Sequence, residues 1–187
     1  DGQAYRFMGI TLETLAPMAD EKVWTGRYTT SAPSGNAWTK PDFDDSSWPE
    51  GKSAWGGGDD NYSNIGTRWE GEGADIWVRR TVTLSEIDAT ADYYATYKHD
   101  DTFELYVNGQ QVLSTGYTWD VSGQSVKVNR SLLHEGTNVI AAHCKNNAGG
   151  AYIDFGLAKD NFPTATQKSC VVMPTSTYYT FTCGAID

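Results

Sequence analysis

Alternation of apolar and polar residues with a period of two is the feature that most constrains how this chain can fold. It is clearest in three segments: Ile76–Leu84, Tyr93–Tyr97 and Thr102–Val107. This period is typical of β-strands. The next two residues, Asn108 and Gly109, favour a type I′ turn, whose two central residues both need positive φ. A β-hairpin is therefore predicted here, with Gln110–Ser114 as its second strand.

The rest of the chain adds more short strands and almost no helix. Further strands are predicted at Ser125–Val128, Asn138–His143 and Ala151–Leu157. Only Thr11–Ala19 favours a short helix, which Pro17 would interrupt. Ser31–Gly73 is rich in Gly, Asp, Ser, Asn and Trp and predicts long loops with few strands. Many short strands separated by turns predict an all-β fold, a β-sandwich.

Charge argues against two classes of partner. The 187 residues include 14 Lys and Arg against 24 Asp and Glu, a net charge of -10. A nucleic-acid-binding face needs clustered cations, and here the basic residues form no stripe. Anionic membrane surfaces are disfavoured for the same reason, and no apolar run approaches the roughly 20 residues that span a bilayer. We expect neither nucleic acid nor membrane as a partner.

The three cysteines do not define a zinc or redox motif. Cys144 lies in an apolar run and is expected to be a buried thiol. Cys170 and Cys183 flank a turn at 174–177 and could face each other in a hairpin, but cross-strand disulfide geometry is restrictive. The sequence leaves that disulfide open.

One acidic segment, Asp59–Glu70, spaces its oxygen side chains almost as a calcium-binding loop does. Its sixth position is Asn64, where a calcium loop has glycine. A solvated turn is the competing interpretation, and no metal ligand is assigned from this segment.

An ordered set of motifs resembles the galactose-binding-like jelly-roll domain that accompanies many glycoside hydrolases, including bacterial β-galactosidases. The motifs are Phe43–Trp48, Gly66–Trp69, Ala74–Thr81, His99–Asp101, Leu105–Gly109 and Gly136–Ile140. The resemblance covers about residues 36–158 and implies a jelly-roll sandwich that binds glycans or supports a catalytic neighbour. Such modules often hold a structural calcium, so a metal elsewhere in the fold stays an open alternative.

The flanks carry a second resemblance. Asp1–Gly9 and Ser169–Gly184 are similar to adjacent strands in the glutaminase A family of large secreted hydrolases. This resemblance implies that residues 1–30 and 161–187 are host strands and linker, with the sandwich at 31–160 inserted between them. The partners would then be the remaining domains of a secreted, periplasmic or cell-surface bacterial protein. The host's catalytic residues would lie beyond Asp187, so none is assigned to this chain.

Aromatic and polar residues in the loops suggest a ligand-binding edge. Sugar rings stack on aromatic side chains, while their hydroxyls need polar groups at the rim. Trp48 and Trp77 are expected in the core, and Trp55 and Trp69 are expected to be exposed. Together with the ligand edge that the resemblance implies, this predicts a glycan site formed by six residues: Trp55, Arg68, Trp69, Asp100, Asn146 and Asn147.

Two other functions compete with glycan binding. An enzyme would need a pair of carboxylates about 5 to 9 Å apart in a cleft, and the candidates are Asp75, Asp100, Asp154 and Glu70. The adjacent Asp100 and Asp101 point to opposite faces of a strand, which favours a structural role in holding loops by hydrogen bonds to backbone N–H groups. A purely structural spacer would instead bury Trp55 and Trp69 and show no rim cleft.

Overall fold

The computed structural model describes residues 12–58, 62–160, 169–174 and 179–184. In chain order the strands in these ranges are β1 (Leu12–Ala16), β2 (Thr25–Thr29), β3 (Glu50–Lys52), β4 (Trp55–Gly57), β5 (Thr67–Arg68), β6 (Asp75–Leu84), β7 (Tyr93–Asp100), β8 (Thr102–Val107), β9 (Gln110–Ser114), β10 (Trp119–Val128), β11 (Gly136–Lys145), β12 (Ala151–Asp160), β13 (Ser169–Pro174) and β14 (Tyr179–Gly184). The helices of the described part are two 3-10 turns, Ala37–Thr39 and Arg130–Leu132.

Two six-stranded sheets build the sandwich. In the first sheet the order is β10-β7-β12-β4-β5, and β1 also pairs with β12. In the second sheet the order is β3-β2-β6-β11-β8-β9. Strands β13 and β14 pair separately as a two-stranded sheet. The fold is therefore an all-β sandwich, as the sequence predicts.

The main core lies between the two sheets because alternate side chains of each strand point inward. On β6 the inward residues include Ile76 and Val78, and on β12 they are Ile153, Phe155 and Leu157. All five are fully buried. We call the faces directed at this core the inner faces and the opposite ones the outer faces.

The predicted strands and the hairpin are confirmed. Asn108 and Gly109 both have positive φ, 47° and 87°, and they join β8 to β9. The long-loop character of Ser31–Gly73 is also confirmed, because its strands β3, β4 and β5 are only two or three residues long. The helix predicted at Thr11–Ala19 is wrong. Residues Leu12–Ala16 form β1, whose backbone pairs with β12.

Strands β1 and β2 precede the domain boundary predicted at residue 31. They nevertheless pair with β12 and β6, so the sandwich includes residues 12–29. Asp1–Gly9, part of the predicted host strand, lies outside the described residues. In the described ranges no helix is long and apolar enough to cross a membrane.

Candidate ligand-binding edge

The loops at one end of the sandwich are joined by hydrogen bonds between the segments that carry the predicted edge. Glu70 accepts a bond from the backbone N–H of Gly58 at 2.6 Å and two bonds from Arg68 at 2.6 and 2.8 Å. The backbone of Asn146 bonds that of Gly73 and Ala74 at 2.7 and 2.9 Å. The β4–β5 region, the loop before β6 and the β11–β12 turn therefore meet at one edge.

Asp101 fixes the turn between β11 and β12. Its carboxylate accepts the backbone N–H groups of Asn147 at 2.7 Å and Ala148 at 3.1 Å. Asp101 is itself buried, so these bonds compensate the desolvated charge. The structural role predicted for this acidic pair, holding a loop through backbone N–H groups, is confirmed for Asp101.

The expectation that Trp55 and Trp69 are exposed is wrong. Their exposed fractions are 0% and 4%, and both belong to the main core. Trp55 packs against Trp24 and Tyr28, with ring centroids 5.0 and 6.2 Å apart. Neither indole face is available to a sugar. A tryptophan in a glycine-rich loop can be covered by neighbouring strands, which local sequence does not show.

The other four predicted residues divide into two buried and two accessible ones. Asp100 is buried and accepts a bond from the Tyr62 hydroxyl at 2.6 Å, and Asn146 is fully buried. The Arg68 side chain is 72% exposed, and Asn147 is half-buried. The surface of the predicted site is therefore polar, and its sugar-binding role stays a prediction.

A shallow open cavity of about 510 Å³ lies beside this edge. It is lined by Glu72, Gly73, Lys145 and Asn147. These groups offer charges and amide groups but no aromatic surface. The edge can hydrogen-bond a polar ligand, but it lacks the aromatic platform that the sequence predicts.

The four candidate catalytic carboxylates have different partners. Glu70 bonds Arg68, Asp100 bonds Tyr62, and Asp75 bonds His143. Asp154 is fully buried and accepts bonds from the backbone of Ala19 at 2.6 Å and the indole of Trp24 at 3.1 Å.

Asp154 and Arg80 are two buried charged residues that influence each other electrostatically. Burial raises the pKa of Asp154 to about 6, against the lowering effect of its hydrogen bonds and of Arg80. Burial likewise lowers the pKa of Arg80 to about 10. Arg80 donates to the carbonyls of Pro17 and Phe155 at 2.8 and 2.9 Å and stacks over Trp24 at 4.3 Å. This pair pins the segment after β1 to the sandwich.

His143 lies between two carboxylates, Asp75 and Glu104, on the outer face of the second sheet. The imidazole lies 2.8 Å from Asp75 and 3.3 Å from Glu104, and it stacks on Trp77 with centroids 4.7 Å apart. Its ring fills the space between the two acids, so they cannot flank a glycosidic bond. Trp77 and Trp48 are both half-buried and pack against a second, smaller apolar cluster on this face, so the core role predicted for them holds only in part.

Cys144 is fully buried, as expected, and burial raises the pKa of its thiol. Backbone register places Cys170 of β13 directly opposite Cys183 of β14. The disulfide between them stays a prediction.

Among the described residues, no group of three or more His, Cys, Asp or Glu side chains could hold a metal ion. Residues 59–61 of the calcium-like segment lie outside the described ranges. Asn64 of the same segment has a positive φ of 69°, and its side chain donates to Asp20 at 2.6 Å.

Sequence reasoning missed the outer face of the first sheet. Trp119 at the start of β10 is 65% exposed and Tyr117 is 59% exposed. A signal was present: the residues that follow Trp119 include Asp120, Ser122 and Gln124, so this strand offers little apolar surface for burying a tryptophan.

Comparison with known proteins yields matches in structure alone. No family model and no curated protein matches the sequence. The fold is similar to β-glucuronidase 2 of Bacteroides uniformis, with a TM-score of 0.54 and 18% identity over 74% of this chain and 18% of that one. It is also similar to a β-glycosidase of Bacteroides vulgatus, with a TM-score of 0.55 and 13% identity over 95% of this chain and 24% of that one.

A third similar structure is a β-glucuronidase from glycoside hydrolase family 2, with a TM-score of 0.55 and 14% identity over 90% of this chain and 21% of that one. The likeness is one of fold. The chain spans only 18% to 24% of the length of these three enzymes. It therefore has the fold of a sandwich domain found in larger glycosidases.

Proposed function

We propose that this chain is a non-catalytic accessory module of a larger secreted bacterial hydrolase. The observation that carries the proposal is the state of its carboxylates. Asp154 is buried in the sandwich, Glu70 is bonded to Arg68, and Asp75 and Glu104 are separated by the ring of His143. A glycosidase needs two acids facing one bond across an open cleft. The resemblance in fold to domains of larger glycosidases supports the accessory role.

The parent protein that we propose is a hydrolase resembling glutaminase A. This part rests on the resemblance of Asp1–Gly9 and Ser169–Gly184 to strands of that family. The register of the described hairpin, which pairs Ser169 with Gly184, is compatible with such strands. The module's partners would be the remaining domains of the parent chain, and its location would be outside the cytoplasm.

Glycan binding at the loop edge is the second candidate. It is favoured by the open cavity beside Lys145 and Asn147 and by the exposed Arg68. The burial of Trp55 and Trp69 weakens it, because stacking on those rings was its apolar component. Of the two candidate functions, glycan binding and scaffolding within the parent protein, only scaffolding needs no ligand at this edge.

A hydrolysis assay tests the non-catalytic assignment. The chain is incubated with chromogenic glucuronides, galactosides, glucosides and mannosides, and separately with glutamine. We expect no turnover above buffer. Turnover that persists through purification and is abolished in Glu104→Gln or Asp75→Asn, with unchanged circular dichroism, would overturn the proposal.

A further inference from the structure

The outer face of the first sheet carries a cavity of about 310 Å³, which we call the outer cleft. It is large enough for a small ligand. It is lined by three residues with apolar or aromatic surface and four polar ones: Tyr62, Val121, Tyr152, Asp20, Ser63, Asn64 and Lys98. Tyr62 and Asn64 come from the β4–β5 region, but no residue of the outer cleft lines the cavity at the loop edge.

The floor of the outer cleft is aromatic. Tyr62 and Tyr152 pack edge to face with ring centroids 5.2 Å apart. They form, with Ala19, Ala54 and Val121, an apolar cluster separate from the main core. Such a floor is held in place by the sheet and does not need a ligand to form.

Trp119 is not itself one of the residues that line the cleft, but it lies two residues before Val121, which is. Its Cα pairs with that of Asp100 across β10 and β7, and directly opposed residues of paired strands point to the same face. The Asp100 carboxylate accepts the Tyr62 hydroxyl at 2.6 Å, so Asp100 links Trp119 to the floor. With 65% of its surface exposed, the indole contributes little to the core. Its apolar surface is available to a ligand.

The two opposite charges on the polar wall of the cleft, those of Lys98 and Asp20, balance each other. Lys98 donates to Asp20 in an ion pair, and Asn64 donates to the other oxygen of the same carboxylate at 2.6 Å. The bond from Lys98 is the main cause that lowers the pKa of Asp20, so the acid is ionised near neutrality. A neutral pair of charges offers hydrogen bonds without attracting an ion of either sign. The net charge of -10 further disfavours polyanions.

We propose that the outer cleft binds one sugar unit of a neutral glycan, with the C–H face of the ring on Trp119 and the hydroxyls at Asp20, Asn64 and Lys98. An exposed indole next to hydrogen-bonding groups matches the amphipathic surface of a hexose, whereas a purely apolar partner would leave the ion pair buried and uncompensated. The site extends the proposed accessory role and does not require the loop edge to bind sugar.

The test is a printed glycan array of neutral and acidic oligosaccharides, followed by calorimetric titration of each neutral hit and of glucose, galactose, mannose, lactose and cellobiose. We expect binding of at least one neutral glycan. Trp119→Ala should weaken it about tenfold or more, in line with the loss of one aromatic contact. Lys98→Met should weaken it several-fold.

Two controls locate the site. Tyr94→Ala removes an aromatic from the same outer face, six residues from Asp100 along β7 and roughly 20 Å away, and should leave binding unchanged. Arg68→Ala removes the exposed cation of the loop edge and should also leave it unchanged.

The proposal is overturned if no neutral glycan binds, or if Trp119→Ala binds the glycan as tightly as the unmutated chain does. Loss of binding in Arg68→Ala alone would also overturn it, and would place the sugar at the loop edge. Failure of the non-catalytic assignment would appear separately, as turnover in the hydrolysis assay.

Discussion

The outer faces of the two sheets are covered to very different degrees. On the second sheet, the segment 37–48 lies over the strands, where Trp38 packs on Tyr106 with centroids 5.5 Å apart and Phe43 packs on Trp48 at 5.6 Å. On the first sheet, the Asp154 network covers only part of the face, and Trp119 stays open to solvent. The comparison shows that a buried charge can hold a long loop against a sheet, whereas the aromatic surface of Trp119 stays uncovered.

The cover of the second sheet depends on Arg79. Its side chain is 4% exposed and bonds the Asp45 carboxylate at 2.6 Å, and it also donates to the carbonyls of Trp38 and Lys40. One guanidinium therefore satisfies several backbone acceptors of a loop that has little regular structure. On the first sheet, Asp154 of β12 acts in a comparable way over a shorter segment, and Arg80 of β6 reaches the same segment from the second sheet.

Among changes to the covers of the two sheets and to the loop edge, removing the Arg79 anchor should have the largest effect on stability. Arg79→Met keeps much of the side chain's apolar volume but leaves Asp45 and three backbone carbonyls without their donor. We expect the free energy of unfolding to fall by about 3 kcal/mol, with new protease cleavage within 37–48. Urea unfolding and limited proteolysis measure both.

Asp45→Asn is the matched control, because it keeps an oxygen acceptor for Arg79. It should cost about 1 kcal/mol. Equal losses in the two variants would mean that the carbonyl bonds of Arg79 contribute nothing to the cover.

The partial cover of the first sheet should respond to pH through Asp154. Its folded pKa of about 6 lies above its ordinary value of 3.8, so the folded state retains a proton that the unfolded state has lost between these values. The free energy of unfolding of the unmutated chain, relative to that of Asp154→Asn, should therefore fall by up to about 3 kcal/mol as pH rises from about 4 to about 6.

Urea unfolding of both proteins across this pH range measures that difference. Subtracting the variant removes the contribution of acids such as Glu70, whose pKa is lowered by its bonds to Gly58 and Arg68 and which acts in the opposite direction. A difference that stays flat or grows with pH would contradict the assignment.

A substitution at the loop edge should reduce the free energy of unfolding less than a substitution in either sheet cover. Asp101→Ala removes the acceptor of the N–H groups of Asn147 and Ala148, which water can partly replace because Ala148 is exposed. We expect a loss of about 1 to 2 kcal/mol and faster amide exchange in residues 146–149. Unchanged exchange there would show that the turn holds its shape without Asp101.

The smallest effect should come from Trp119→Ala. Because the indole is mostly exposed, its removal should change the free energy of unfolding by less than about 0.5 kcal/mol. Trp55→Ala is the contrasting variant and should cost about 3 to 5 kcal/mol as a core truncation. A large loss in Trp119→Ala would mean that the residue supports the fold.

The local sequence pattern was enough to predict the sandwich, but not to predict which side chains lie at its surface. The alternation in β6 and the Asn108-Gly109 turn depend on neighbouring residues, so both could be predicted. The burial of Trp55 depends on Trp24 and Tyr28, which reach it from other strands. The outer cleft likewise joins Asp20, Tyr62 and Lys98, which only the folded chain brings together. The edge motifs located the loops correctly but not which side chains reach solvent.

The most direct test of the account is a heteronuclear NMR titration with the tightest neutral glycan from the array. The chain has seven tryptophans, and each contributes one indole N–H signal. We predict that the Trp119 indole shifts with the amides around Lys98 and Asn64, while the Trp55 and Trp69 indoles and the amides of 145–150 stay in place. Shifts confined to the loop edge, with Trp119 unmoved, would contradict it.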